Sequence, residues 1–317
     1  MAELKSCVII GAGMAGLSAA RVLKRSGWEV TVLEKGRSPG GRMATRLDGE
    51  SRFDHGAQFF TVRDCRFLEL VDRLEASGCV KPWFNEGGHT RYRGTDGMAG
   101  IMKELAKPFD VRTSTAAVSV QPTEEGWQIQ TDAGEEFNAG ALLLTPPAPQ
   151  SIDLLADYIY WLPPNLLSIL KSIEFDPCVA LLATLSGASN VPAPGYVRPE
   201  NGPIGFIADN TQKGISTTSP ALTIHARADF SRSHFELPEE EVAQLLFEAA
   251  SPWLGSQALK WQLHRWRYSQ PVAVCMEPFL YASEPQPLAF AGDAFAGPRV
   301  EGAFLSGLAA GHRIAAG

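Results

Sequence analysis

The first strand of the chain runs directly into a glycine turn, and no other segment restricts the possible folds as strongly. Cys7-Val8-Ile9-Ile10 reads as a buried strand, Gly11-Ala12-Gly13-Met14-Ala15-Gly16 as a turn, and Leu17 to Leu23 as the helix that follows. The glycines serve three separate needs, since Gly11 supplies the backbone angles, Gly13 lets the chain approach a pyrophosphate, and Gly16 lets helix and strand lie close. Free N–H groups and the positive dipole end at the helix start then favour an anion. A second strand, Glu29-Val30-Thr31-Val32-Leu33, ends in Glu34, 23 positions after Gly11. A carboxylate at that tip accepts hydrogen bonds from a ribose 2′-hydroxyl and repels a 2′-phosphate, so an unphosphorylated adenosine ribose is favoured. The unit predicts a dinucleotide-binding βαβ fold.

Two further segments extend this reading. After Glu34 comes Lys35-Gly36-Arg37-Ser38-Pro39-Gly40-Gly41-Arg42, where a glycine pair allows close passage and the planar fork of Arg42 suits a phosphate. Near the other end, strand-like Leu288-Ala289-Phe290-Ala291 runs into Gly292-Asp293, and Val300-Glu301-Gly302-Ala303 opens a last helix, Phe304 to Ala315. The acid, double-glycine and arginine run resembles the flavin-containing amine oxidase superfamily, as does Asp54-His55-Gly56-Ala57-Gln58. The resemblance implies non-covalent FAD, held at its phosphates and ribose by Gly11, Ala12, Gly13, Met14, Ala15, Gly16, Glu34, Lys35, Gly41 and Arg42. It also implies flavin-side contacts from Gly56, Ala57, Gln58, Phe59, Val118, Thr145, Gly292, Asp293, Glu301, Gly302 and Ala303. In this superfamily the last helix aims its N-terminus at the flavin pyrimidine, where a positive dipole end stabilises the negative charge left by two-electron reduction.

Middle motifs narrow the resemblance. Phe206-Ile207-Ala208-Asp209-Asn210, Leu222-Thr223-Ile224-His225 and Trp266-Arg267-Tyr268-Ser269-Gln270 are similar to the renalase-like family, and with the two ends the likeness spans nearly the whole chain. That family implies oxidation of isomeric dihydronicotinamides, the 2- or 6-dihydro forms of NAD(P), to NAD(P)+. Hydride passes to flavin N5, and oxygen reoxidises the flavin to give hydrogen peroxide. Loss of hydride from a dihydropyridine gives an aromatic pyridinium directly, so no acid or base residue is assigned. The resemblance names Gln58, Tyr196, Asn210, His225 and Trp266 as substrate contacts, with Trp266 walling the slot and His225 bonding a carboxamide. Amine oxidation is the competing enzymatic reading, although many such oxidases place an aromatic ring where Val300 stands here. A flavin monooxygenase, an NAD-only dehydrogenase and a non-catalytic binding protein akin to prenylated-GTPase partners are further alternatives.

Cofactor segments at both ends require a discontinuous cofactor domain with the substrate domain inserted. The fold class is α/β plus α+β: residues 1–62, 97–149 and 286–317 form the FAD domain, and 63–96 with 150–285 a mixed-sheet substrate domain. Helices are predicted at Leu68 to Leu74, Ala99 to Ala106, Asn165 to Ser172 and Glu239 to Trp253. Asp110 to Gln121 and Gly126 to Thr131 alternate as strands, Ala141 to Thr145 reads as a buried strand, and Cys178 to Leu185, Ile204 to Ile207 and Leu222 to Ala226 suggest a sheet. A net charge of −7 offers no basic footprint for nucleic acid or an anionic membrane. The five cysteines lack a CxxC pair or metal-type spacing, which predicts a reduced cytoplasmic protein without a metal site. Lys5 and the apolar run after it imitate a secretory signal, but Glu3 stands in the positive region and cleavage near Ala19-Ala20 would remove the glycine turn.

Overall fold

The computed structural model describes residues 5–317, so Glu3 lies outside the described part. β1 (Ser6–Ile10), α1 (Met14–Arg25) and β2 (Glu29–Leu33) form the expected unit. They belong to a six-stranded sheet in the order β17-β18-β11-β1-β2-β7, with β7 at Asp110–Arg112, β11 at Ala141–Leu144, β17 at Leu280–Ala282 and β18 at Leu288–Phe290. All neighbours are parallel except the edge pair β17 and β18. Ile10 is in register with both Leu33 and Leu144, so the three central strands end at one level. That edge, the carboxyl end of a parallel sheet, is where open α/β folds bind ligands.

Both faces of this sheet are covered, as a parallel sheet requires. On one, Cys7, Ile9 and Leu143 pack with α1, with α2 (Cys65–Ala76), with α3 (Met98–Ala106) and with α8 (Val300–Ala315). On the other, Val8, Ile10, Leu142 and Leu144 meet a three-stranded antiparallel sheet of β8 (Ala117–Thr123), β9 (Gly126–Thr131) and β10 (Glu136–Ala139). The same cluster takes α4 (Ala148–Leu154) and α5 (Pro164–Ser172) through Ala148, Leu166 and Leu170. The packing therefore departs from the expected domain division. α2 buries Phe67, Leu70, Val71 and Leu74 in the α1 and α8 core, and α4, α5 and β17 also side with the six-stranded sheet. The predicted run Asp110 to Gln121 is two strands in two sheets, separated at Ser114, whose φ is 54°.

A five-stranded antiparallel sheet, β13 (Tyr196–Val197), β14 (Ile204–Asp209), β15 (Ala221–Ala226), β12 (Glu174–Leu185) and β16 (Ala258–Ala273), forms the second body. Alternation along β12 sorts its faces: Val179, Leu181, Ala183 and Leu185 pack beneath α7 (Glu239–Leu254), while Ala180 and Leu182 turn to Phe53 and Trp266. α6 (Ala228–His234) follows β15. Two hairpins, β3 (Thr45–Asp48) with β4 (Ser51–Asp54) and β5 (Val80–Glu86) with β6 (His89–Gly94), complete the fold. Among the described residues no helix is long and apolar enough to cross a membrane, and no group of three or more His, Cys, Asp or Glu side chains could hold a metal.

α1 and α8 touch through their backbones. A Cβ on Gly307 would stand 2.1 Å from the Ala15 carbonyl oxygen, and one on Gly311 would stand 3.0 Å from Ala19. Gly307→Ala gains up to about 1 kcal/mol of helix propensity but forces two backbones apart, a cost of about 1–3 kcal/mol. Net destabilisation is expected in chemical denaturation, larger than for Gly311→Ala.

Candidate functional site

A cavity of about 1030 Å³ lies between the two large sheets, lined by Gly11, Gly13, Met14 and Glu34 from one and by His225, His264 and Trp266 from the other. Its volume stands at the top of the roughly 300–1,000 Å³ range of small-molecule sites. The glycine turn has the geometry its sequence requires. Gly11 has φ +103° and no room for a Cβ beside Thr145, whose hydroxyl would be 2.3 Å away; Gly13 has nothing within 4 Å on its open side. A Cβ on Gly16 would stand 2.0 Å from the Gly11 carbonyl oxygen. Glu34 is buried, with Oε2 accepting from the Ala12 N–H at 2.9 Å and Oε1 from the Gly36 N–H at 2.7 Å, which fixes the carboxylate at the cavity.

Arg42 ties the site together. Its Nη2 pairs with Asp293 Oδ1 at 2.5 Å and its Nη1 donates to the Ser269 carbonyl on β16 at 3.1 Å. Its own carbonyl accepts from the Ala57 N–H at 2.8 Å and stands 2.1 Å from where a Gly56 Cβ would be. The expected phosphate ligand is thus also a brace between cavity walls. Lys35, Gly41, Gly56, Ala57, Val118, Thr145, Gly292, Asp293 and Ala303 line the cavity as well.

The far wall is a row of rings. His225 on β15 and His264 on β16 both pair in register with Ala180, so they share its face, and Trp266 lies two residues along from His264 on that face. His55 packs among them, edge-on to His264 at 4.8 Å between centroids and stacked on Trp266 at 5.3 Å. The His55 carbonyl accepts from Trp266 Nε1 at 2.7 Å and meets His225 Nε2 at 3.0 Å. A carbonyl only accepts, so His225 carries its proton on Nε2. Burial lowers the His225 pKa to about 4, helped by the Lys213 charge and opposed by the bond to His55. Burial likewise lowers His264 to about 4, with Arg46 and His225 adding, and His55 to about 3, with His264, Arg46 and His225 adding. All three rings are neutral at pH 7.

Several expected contacts stand off this wall, each for a visible reason. Gln58 is buried with Nε2 donating to the Asp54 carbonyl at 2.5 Å. Asn210 is fully enclosed, its Nδ2 donating to Thr223 Oγ1 at 2.9 Å. Tyr196 is one ring behind the cavity, stacked on Phe206 at 5.7 Å with its hydroxyl donating to Glu86. Phe59 packs beside Phe206, Phe84 and Trp83 rather than on the cavity. Glu301 turns away and accepts from the Arg63 and Asp64 N–H groups at 2.6 and 2.8 Å. Ala12, Gly16 and Gly302 do not line the cavity either, and a Cβ on Gly302 would stand 2.0 Å from the Gly297 carbonyl oxygen.

Sequence reasoning passed over His264, Phe206 and the wall role of His55. The signal for His264 was its i, i+2 spacing from Trp266, legible only once β16 is recognised as a strand.

Comparison with known proteins agrees with this geometry. Residues 9–74 match the NAD(P)-binding Rossmann-like domain, and residues 75–315 match the flavin containing amine oxidoreductase family. Renalase of Mus musculus is 25% identical over 291 residues, covering 83% of this chain and 84% of that protein. The 1-hydroxycarotenoid 3,4-desaturase of Flavobacterium sp. is 44% identical over 71 residues, 22% of this chain and 14% of that enzyme. In fold, wild-type putrescine oxidase bound to putrescine superposes with TM-score 0.66 at 16% identity, covering 99% of both chains. An oxidoreductase from Methanosarcina mazei does so with TM-score 0.66 at 14% identity, covering 96% of this chain and 99% of that one. The chain is thus similar to a renalase over most of its length, shares the fold of these oxidases, and belongs to the flavin containing amine oxidoreductase family.

Proposed function

We propose that this chain is an FAD-dependent oxidase of isomeric dihydronicotinamides, returning 2- or 6-dihydro-NAD(P) to NAD(P)+ in the cytoplasm. The observation that carries the reading is the state of His225. With its proton held on Nε2 by the His55 carbonyl and its charge suppressed by burial, it offers Nδ1 as a bare acceptor on a cavity-lining ring. A primary carboxamide has the matching N–H donor.

The chain's residues fit FAD. The first turn of α1, with Gly11, Gly13, Met14 and Ala15 on the cavity, would take the pyrophosphate, and Glu34 the ribose hydroxyls. Arg42 and Asp293 stand together at the wall, and Val118 and Thr145 line the intervening stretch. Val300 and Ala303 bring the first turn of α8 to the cavity, where its unpaired N–H groups would stabilise developing negative charge. FAD, when bound, supplies a two-electron acceptor at N5, from which dioxygen takes the electrons to become hydrogen peroxide.

The remaining work of the protein is placement. Trp266, its indole N–H committed to the His55 carbonyl, presents a fixed flat surface, and His225 takes the amide N–H. Hydride loss makes the dihydropyridine an aromatic pyridinium, so no side chain has to accept a proton. Phe206 and Cys178 add to the lining, and burial lifts the Cys178 thiol to about 12, leaving it uncharged.

Anaerobic mixing of the FAD-loaded protein with 2-dihydro-NAD, 6-dihydro-NAD, NADH and a panel of amines is expected to bleach flavin absorbance rapidly only with the isomeric dihydronicotinamides. Bleaching by an amine alone would overturn the reading. The acid limb of kcat/KM should fall through about pH 4 rather than 6.5, because protonation at Nδ1 turns the acceptor into a donor. His225→Phe should raise KM roughly tenfold, the scale of one lost hydrogen bond at a buried site, with FAD content unchanged.

A further inference from the structure

Behind the wall residues lies a buried charge that does not reach the cavity. Lys213 and Asp54 are both fully buried, with side chains 0% exposed, and pair at 2.7 Å between Nζ and Oδ2. Lys213 Nζ also donates to Gln58 Oε1 at 3.3 Å and lies 4.9 Å from the centroid of the Trp83 ring. A single ammonium therefore holds both ends of the segment Asp54 to Gln58, whose middle residues His55, Gly56 and Ala57 line the cavity.

Everything else around that segment reinforces the same placement. Asp54 Oδ1 accepts from Thr45 Oγ1 at 2.6 Å and from the Met98 N–H at 2.8 Å. The Asp54 carbonyl accepts from Thr223 Oγ1 at 2.9 Å and from Gln58 Nε2, and its N–H donates to Asn210 Oδ1 at 3.4 Å. The next carbonyl along, that of His55, is the one to which His225 and Trp266 are bonded.

We infer that Lys213 is a positioning residue for the reaction: paired with Asp54 and bonded to Gln58, it sets where the His55 carbonyl stands and so aims His225 and Trp266 at the substrate ring. A charge suits this role better than an apolar side chain. An ammonium donates up to three hydrogen bonds, each stronger in a dry interior than in water, whereas an apolar filler would offer the Asp54 and Gln58 oxygens no partner. Gln58 and Asn210, expected from sequence to touch substrate, become parts of the same support. The inference rests on the reading that this wall receives the ring of a pyridine carboxamide.

The test compares the FAD-loaded wild-type protein with Lys213→Met and with the double variant Asp54→Asn, Lys213→Met. The double variant leaves no unpaired buried charge, so it folds even where the single one does not. Two readouts are taken: hydrogen exchange of the backbone amides in residues 53–60, with α1 as control, and binding of 1-methylnicotinamide followed by the change in flavin absorbance. In the double variant, FAD content is expected to hold and α1 exchange to stay unchanged, while exchange in 53–60 speeds up and binding weakens about tenfold or more, the scale of an ångström-sized misplacement. Unchanged exchange and binding would overturn the inference, leaving the pair as mere charge balance. Faster exchange in α1 as well, or lost FAD, would also overturn it by making the role a general one. If wild-type protein shows no response to 1-methylnicotinamide, the ring-site reading fails, and the local exchange result alone judges the clamp.

Discussion

Two backbone contacts without side chains between them hold the cofactor half together. Gly16 lets α1 descend on the turn that precedes it, and Gly307 lets α8 descend on α1. The first contact brings the unpaired N–H groups of α1 to the mouth of the turn; the second fixes α8, and with it the cavity-lining Val300 and Ala303, relative to those groups. The spacing between the two helix starts is thereby set by van der Waals contact of main chain on main chain, which yields less than any side-chain packing. The remaining site is assembled onto this frame. Arg42 reaches from the cofactor half to Ser269 of the other sheet, and Glu301 on α8 holds the Arg63 and Asp64 N–H groups from the loop before α2.

The second sheet supplies the cavity wall opposite the glycine turn. Ala180 sits in register between His225 and His264, and the His55 ring packs on His264 and Trp266 beside them, so three imidazoles and an indole are gathered at one patch. Enclosure makes these histidines neutral, and hydrogen bonding to a carbonyl decides which nitrogen of His225 is bare. For the hydride loss proposed above, this wall would supply orientation and exclusion of water without a catalytic acid or base.

What could be read in the sequence was what depends on neighbours along the chain. Gly11, Gly13, Gly16 and Glu34 declare a βαβ turn within one segment, and the last helix is legible from its own pattern. Lys213 sits in Asn210-Thr211-Gln212-Lys213-Gly214, which looks like an exposed turn; its complete burial comes from β4, β5 and the Gln58 segment closing over it, and no local pattern encodes that. Family resemblance singled out Gln58 and Asn210, yet gave no way to separate a residue that touches a ligand from one that braces the residue that does. Glu301 had the same ambiguity: a carboxylate at a helix start reads equally well as a ligand contact or as a partner for backbone N–H groups. β16 escaped because ten of its sixteen positions are half-buried and the exposed ones do not alternate with buried ones, so the pattern that marks a strand with one dry face is absent.

That strand is also the outermost of its sheet, sixteen residues long with a strand partner on one side only, and Arg42 covers one carbonyl of its free edge at Ser269. An edge of this length with Leu259 and Val272 exposed invites pairing with another chain. The strand carries its own deterrents. Lys260 puts a charge on it, Arg265 and Arg267 carry ion pairs to Glu239 and Glu236, Pro271 removes one donor, and three irregularities in its register with β12 bend the ladder out of a regular template. Charge, proline and bulges of this kind are the features by which exposed sheet edges are kept from pairing with another chain.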